Sequence, residues 1–151
     1  MDDIKAKISH HSGNIMINKV KKMMEAMSRE LPGVLAVAVV TVDDGLSIAE
    51  VSRKEGVETA AASAYLASIV KSNGKAIGLL ADDEVTDDIL ITTTQYHFII
   101  RHMPDQPFFI FVMTTKDEWL GKARMMMQKF EEELARFSSQ LEEQFRLDEE
   151  P

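Results

Sequence analysis

The side chains with chemistry to offer are few: four histidines, one run of carboxylates and two isolated arginines. His97 and His102 stand an odd number of residues apart in a β-branched, aromatic stretch. On a strand they point to opposite faces and cannot share a metal locally. His10 and His11 lie in an N-terminal segment without clear periodicity, and all four histidines read as structural or solvated. Arg53 and Arg101 could in principle reach another protein's nucleotide as arginine fingers. The plainer reading is a loop charge and a strand-surface charge. Asp82, Asp83, Glu84, Asp87 and Asp88 form the acidic run, which lacks the Gly and closing Glu of a calcium loop. It reads as a solvated loop, with no neighbour to hold one carboxyl protonated for acid–base work. Gly74-Lys75 is followed by Ala76, and Ile69 occupies the place of the first glycine of a phosphate-binding loop, so that motif is absent. There is no Gly-x-Ser-x-Gly elbow and no metalloprotease His-Glu motif. No catalytic residue, cofactor site or metal site is therefore expected.

Composition narrows the class further. The chain has 151 residues, enough for one domain with a substantial core. It is 45% hydrophobic and 28% charged, an ordinary globular balance. A formal charge of −8 argues against nucleic acid as a partner. With no cysteine, disulfides, zinc thiolates and thiol catalysis are excluded, and a reducing cytoplasm is the expected location. Met-Asp-Asp-Ile-Lys does not resemble a signal peptide, and no apolar run is long enough to span a bilayer, so no membrane partner is expected. Ten methionines supply adaptable filler, or a surface suited to partners.

The elements that would position these residues are organised around 31–51. Val34–Val42 is apolar at nearly every position, which predicts a central strand covered on both faces. Asp43-Asp44-Gly45 is the turn, and Leu46–Val51 returns as a more polar strand nearer an edge. Before it, Ile17, Val20, Met24, Met27 and Leu31 predict a helix over about 15–30, with 1–14 a flexible tail, either disordered or a frayed helix. After it, a helix is predicted over about 57–73, stopping at Gly74, and the apolar Ala76–Leu80 either extends it or leads away from it. Ala60, Ala61, Ala62, Ser63, Ala64, Ala67 and Ser68 make it small on nearly every side. One small face would pack on the sheet, and the other is suited to meeting a second copy of itself. Three strands follow: Ile89–Thr94, Tyr96–Met103 and Phe108–Thr115. Thr115-Lys116-Asp117-Glu118 fits a capping box for a last helix. Its apolar seam runs through Leu120, Ala123, Met127, Phe130, Leu134, Phe137 and Leu141. Extended to Phe145, that helix would measure about 40 Å. Glu131, Glu132 and Glu133 could face the lysines of the first helix, and 148–151 is a second flexible tail. The order α-β-β-α-β-β-β-α predicts an α/β fold of the α+β type. It is a single domain over 15–147 with a five-stranded antiparallel sheet between helices.

Several of these stretches together resemble the roadblock/dynein light chain family. They are Pro32-Gly33-Val34 entering the apolar strand, Asp44-Gly45-Leu46 at the hairpin, the alanine-rich helix, Tyr96–Arg101, and Leu120-Gly121-Lys122-Ala123-Arg124. Trp119 departs from the pattern, which usually has a polar residue there. The resemblance spans about 15–134 and is closest to the free-standing prokaryotic members, of which the gliding-motility GTPase regulator is one. It implies a homodimer in which second helices pack side by side and third strands pair across the two-fold axis. Ala60, Ala61, Ala64, Ala67, Ser68, Ile89, Ile91 and Thr93 suit that interface.

The resemblance further implies a non-catalytic regulator or binding platform for a small Ras-like GTPase, without an inserted arginine. The alternative is a structural adaptor docking through the long C-terminal helix. A more distant one is a small-molecule sensor, since related folds hold ligands.

Overall fold

The computed structural model describes residues 2–103 and 105–137, with side chains from Ile15 onward. The elements run α1 (Asp2–Glu30), β1 (Val34–Thr41), β2 (Ser47–Ser52), α2 (Thr59–Leu80), β3 (Ile89–Thr92), β4 (Tyr96–His102), β5 (Phe108–Thr115) and α3 (Leu120–Ala135). All strand pairings are antiparallel, in the order β2-β1-β5-β4-β3. The predicted α+β fold, its element order and its central first strand all hold.

Strand alternation divides the core into two layers. Val37 and Val39 of β1 and Ile110 and Val112 of β5 point toward α1 and α3. There they meet Val20, Met24 and Leu31 of α1 and Met127, Phe130 and Leu134 of α3. Ala36, Ala38 and Val40 point the other way, with Phe109, Phe111 and Met113, toward Ala67 and Val70 of α2. Alanine at two successive inward positions of β1 leaves room for α2 to lie close to the sheet. α1 and α3 thus share one face and α2 alone covers the other.

The tight turn between β1 and β2 sets the seat of α2. Gly45 adopts φ +65°, and a Cβ there would come within 2.6 Å of the Ala64 Cα. Only glycine permits both the left-handed backbone and that approach. Its N–H donates to the Thr41 carbonyl at 3.1 Å, and Leu46 N–H donates to Thr41 Oγ1 at 3.0 Å.

The structure departs from the sequence reading in four places. α1 starts at Asp2 rather than near Ile15, continuing through Gly13; a single glycine costs a helix only about 1 kcal/mol. α2 passes through Gly74 and Gly78 to Leu80, because the apolar stretch Ala76–Leu80 extends it rather than leading away. It ends where Ala81 turns extended at φ −150°. The capping box does not form: α3 opens at Trp119 without a side-chain cap. Glu118 Oε2 instead accepts the Gly33 N–H at 2.7 Å, tying the approach to α3 to the entry of β1. Finally, Glu131 does not face the lysines of α1 but binds Arg101 on β4. The expected extension of α3 through Leu141 to Phe145 and the tail 148–151 lie outside the described residues.

Candidate protein-interaction surface

α2 has one satisfied face and one bare one. Thr59, Ser63, Ala67 and Val70 are buried, and Ser63 Oγ donates to the Thr59 carbonyl at 2.8 Å, which keeps its hydroxyl satisfied in the interior. On the opposite side, Ala61, Tyr65, Ile69, Ser72, Ala76, Leu79 and Leu80 follow one another at roughly helical-turn spacing. They therefore share a stripe facing solvent. Tyr65 is 76% exposed, Leu79 88% and Leu80 82%. Lys71 and Lys75 are the helix's two charged residues, and Lys71 Nζ donates to the Asp43 carbonyl at 3.1 Å. A 22-residue helix with so bare and uncharged an outer face is unusual for a surface left to water.

β3 lies at one end of the sheet and is paired on β4 alone among the described residues. Its other edge offers backbone N–H and C=O groups. Leu90 is 45% exposed. The chain leaves α2 through the acidic loop directly into β3, so bare helix and open edge are sequence neighbours.

The residues nominated for an interface fall into three groups. Ala60, Ala61 and Ser68 are exposed on α2, and Thr93 is exposed just past β3. Ile89 and Ile91 are half-buried on β3. Ala67 is 2% exposed and packs on its own sheet, and Ala64, although exposed, has its backbone against Gly45. The exposed apolar residues Tyr65, Ile69, Leu79 and Leu80 were missed. The alanines drew attention to the first half of α2, and Gly74 hid the second half. The 3.6-residue spacing reveals Tyr65 and Ile69 within the predicted helix, and carried through Gly74 it adds Leu79 and Leu80.

Arg101 is not an available finger. It is 8% exposed; its Nε donates to Glu131 Oε2 at 3.1 Å, and its Nη1 lies 3.6 Å from Asp88 Oδ2. Arg124 Nε donates to the same Asp88 oxygen at 2.6 Å. Asp88, the last carboxylate of the acidic run, thus links the start of β3 to β4 and α3. Asp82, Asp83, Glu84 and Asp87 are exposed, as expected of a solvated loop, and so is Arg53. No group of three or more metal-ligating side chains gathers among the described residues. His97 is buried toward the α1–α3 layer while His102 is exposed on the other face, its Nε2 3.0 Å from the Gln106 carbonyl oxygen. No described helix is long and apolar enough to cross a membrane.

A cleft of about 230 Å³ lies between α2, the acidic loop and β3–β4. Two of its polar groups are engaged with neighbours: Asn73 Nδ2 donates to Thr86 Oγ1 at 2.7 Å, and His102 meets the Gln106 carbonyl. It gives little support to the sensor reading.

No family model matches the chain, and no curated protein is similar to it in sequence. Solved structures are similar in fold. Myxococcus xanthus MglB superposes with a TM-score of 0.74 at 15% identity, covering 83% of this chain and 91% of that one. The gliding protein MglB from Thermus thermophilus gives 0.73 at 12% identity, covering 82% and 91%. A Roadblock/LC7 domain from Streptomyces avermitilis gives 0.66 at 10% identity, covering 76% and 93%. With the strand order, the two-layer core and the hairpin seated on α2, these matches give the chain a roadblock/LC7 fold resembling that of the gliding-motility regulator.

Proposed function

We propose that this chain is a non-catalytic, homodimeric binding platform that regulates a small Ras-like GTPase. The observation that carries the reading is the bare outer face of α2 beside the open edge of β3. Side-by-side packing of two α2 helices would cover Tyr65 and Ile69, and pairing of two β3 strands would satisfy the exposed edge. The gain scales with the apolar area removed from water, so Tyr65, 76% exposed, contributes most and Ile69, 37% exposed, has only about a third of its surface left to bury. Ala60, Ala61 and Ser68 let the helices approach closely, with Ile89, Ile91 and Thr93 at the strand seam. The resemblance in sequence implies the GTPase, and the likeness in fold to MglB agrees with it. One domain over 15–147 would suffice for the platform.

The adaptor reading is weaker, because the described seam of α3, from Ala123 to Leu134, is consumed by the core. The test is to add the protein to Ras-like GTPases of the same genome and follow GTP hydrolysis and nucleotide exchange. A regulator changes one of these rates for at least one GTPase. No change in either rate for any of them refutes the reading.

A further inference from the structure

The start of α3 carries an exposed apolar patch that neither the core nor the α2 surface uses. Trp119 is 75% exposed and Met125 62%. The indole leans back over Gly121: a Cβ placed on that glycine would lie 3.6 Å from Trp119 Nε1. Met125 stands one turn beyond Gly121, so indole and thioether share the face opposite the buried Ala123 and Met127. Lys122 and Lys129, both exposed, lie three residues before and four after Met125. Lys116 is exposed nearby as well; Asp117 and Glu132 are the exposed carboxylates around the patch, and Arg124 is already paired with Asp88. In a protein of net charge −8 this is a local reversal of sign.

The complement to this patch lies on the same chain. Between α2 and β3, Val85 is 70% exposed among the exposed carboxylates Asp82, Asp83, Glu84 and Asp87. That loop leaves the end of α2, which covers the opposite face of the sheet from α3. One surface is apolar with a basic surround and the other is apolar with an acidic surround. Such pairs steer association and fix which surfaces meet.

We propose that the Trp119–Met125 patch docks the acidic 81–87 loop of a second copy of this chain. The contact is heterologous, with unlike surfaces meeting, so it adds copies beyond the two-fold dimer proposed above.

Sedimentation velocity over a hundredfold concentration range tests it, at low salt and at ~0.5 M NaCl, where screening shortens the reach of exposed charges. The expected result is a species heavier than the dimer that grows with concentration at low salt and is lost at high salt. Trp119→Ala removes it, with circular dichroism and melting unchanged because the indole is exposed. The double variant Lys122→Glu/Lys129→Glu also removes it, as does the triple variant Asp82→Lys/Asp83→Lys/Glu84→Lys. Mixing these two charge-reversed proteins restores it, since each then offers the other a complementary surface. A wild-type dimer that never grows overturns the docking and leaves the dimer reading standing. So does failure of the mixture to restore growth. Salt-sensitive growth directly from monomers supports the docking and sinks the dimer reading instead.

Discussion

Gly45→Ala is the sharpest perturbation the fold offers, because a methyl group there meets two separate obstacles. The residue sits at φ +65°, where a non-glycine residue costs about 1–2 kcal/mol. The added Cβ would also fall 2.6 Å from the Ala64 Cα and 3.2 Å from the Ala64 nitrogen, both backbone atoms that no rotamer change can move aside. Displacing α2 or the turn to relieve such overpacking costs about 1–3 kcal/mol more. The sum is about 2–5 kcal/mol, or about 4–20 °C in Tm for a chain of this length. Gly56→Ala is the internal control. That glycine has a similar backbone, φ +81°, but nothing within 4 Å of its would-be Cβ, so only the conformational part applies. Urea denaturation of the two variants beside wild type separates strain from contact. Equal losses in both would refute the argument that the hairpin turn is seated directly on α2. If α2 shifts as argued, Gly45→Ala also weakens self-association, which Gly56→Ala leaves alone.

Other expectations follow from the same geometry. Tyr65→Asp combined with Ile69→Glu places two charges on the bare face of α2. It should convert a dimer to a monomer with little loss of folded stability, read by light scattering and thermal melting. Asp88→Asn removes the carboxylate shared by Arg101 and Arg124, leaving the 8%-exposed Arg101 with Glu131 alone. The expected loss is about 2–4 kcal/mol in urea, with faster amide exchange along β3. Met127→Ala empties a fully buried site and should cost about 2–5 kcal/mol. Met125→Ala, two positions away and exposed, should change folding stability by less than about 0.5 kcal/mol.

Much of the fold was legible because the apolar pattern is strong and locally consistent. The unbroken run Val34–Val42 demands cover on both faces, and the structure supplies α1 and α3 on one and α2 on the other. The errors arose where short-range signals competed with tertiary contacts. Gly74 looked like a helix stop, but the apolar residues beyond it continue the helix to Leu80. Thr115 and Glu118 have capping-box spacing, yet the Glu118 carboxylate is taken by Gly33, a partner 85 residues away. Arg101 looked like a surface charge on its strand, and only the fold brings Asp88 and Glu131 to it. Of the candidate surface, the small residues were visible in composition. Tyr65 and Ile69 lie within the predicted helix and follow from its periodicity, whereas Leu79 and Leu80 required knowing that the helix continues.

The central claim is that two copies of this chain form a platform that reads the nucleotide state of a small GTPase. Multi-angle light scattering tests it most directly, on the protein alone and mixed with a Ras-like GTPase loaded with GDP or with a GTP analogue. The account predicts a dimer that gains the mass of the GTPase in the GTP-analogue state and not in the GDP state. A monomer, or a dimer whose mass is indifferent to the nucleotide, would contradict it.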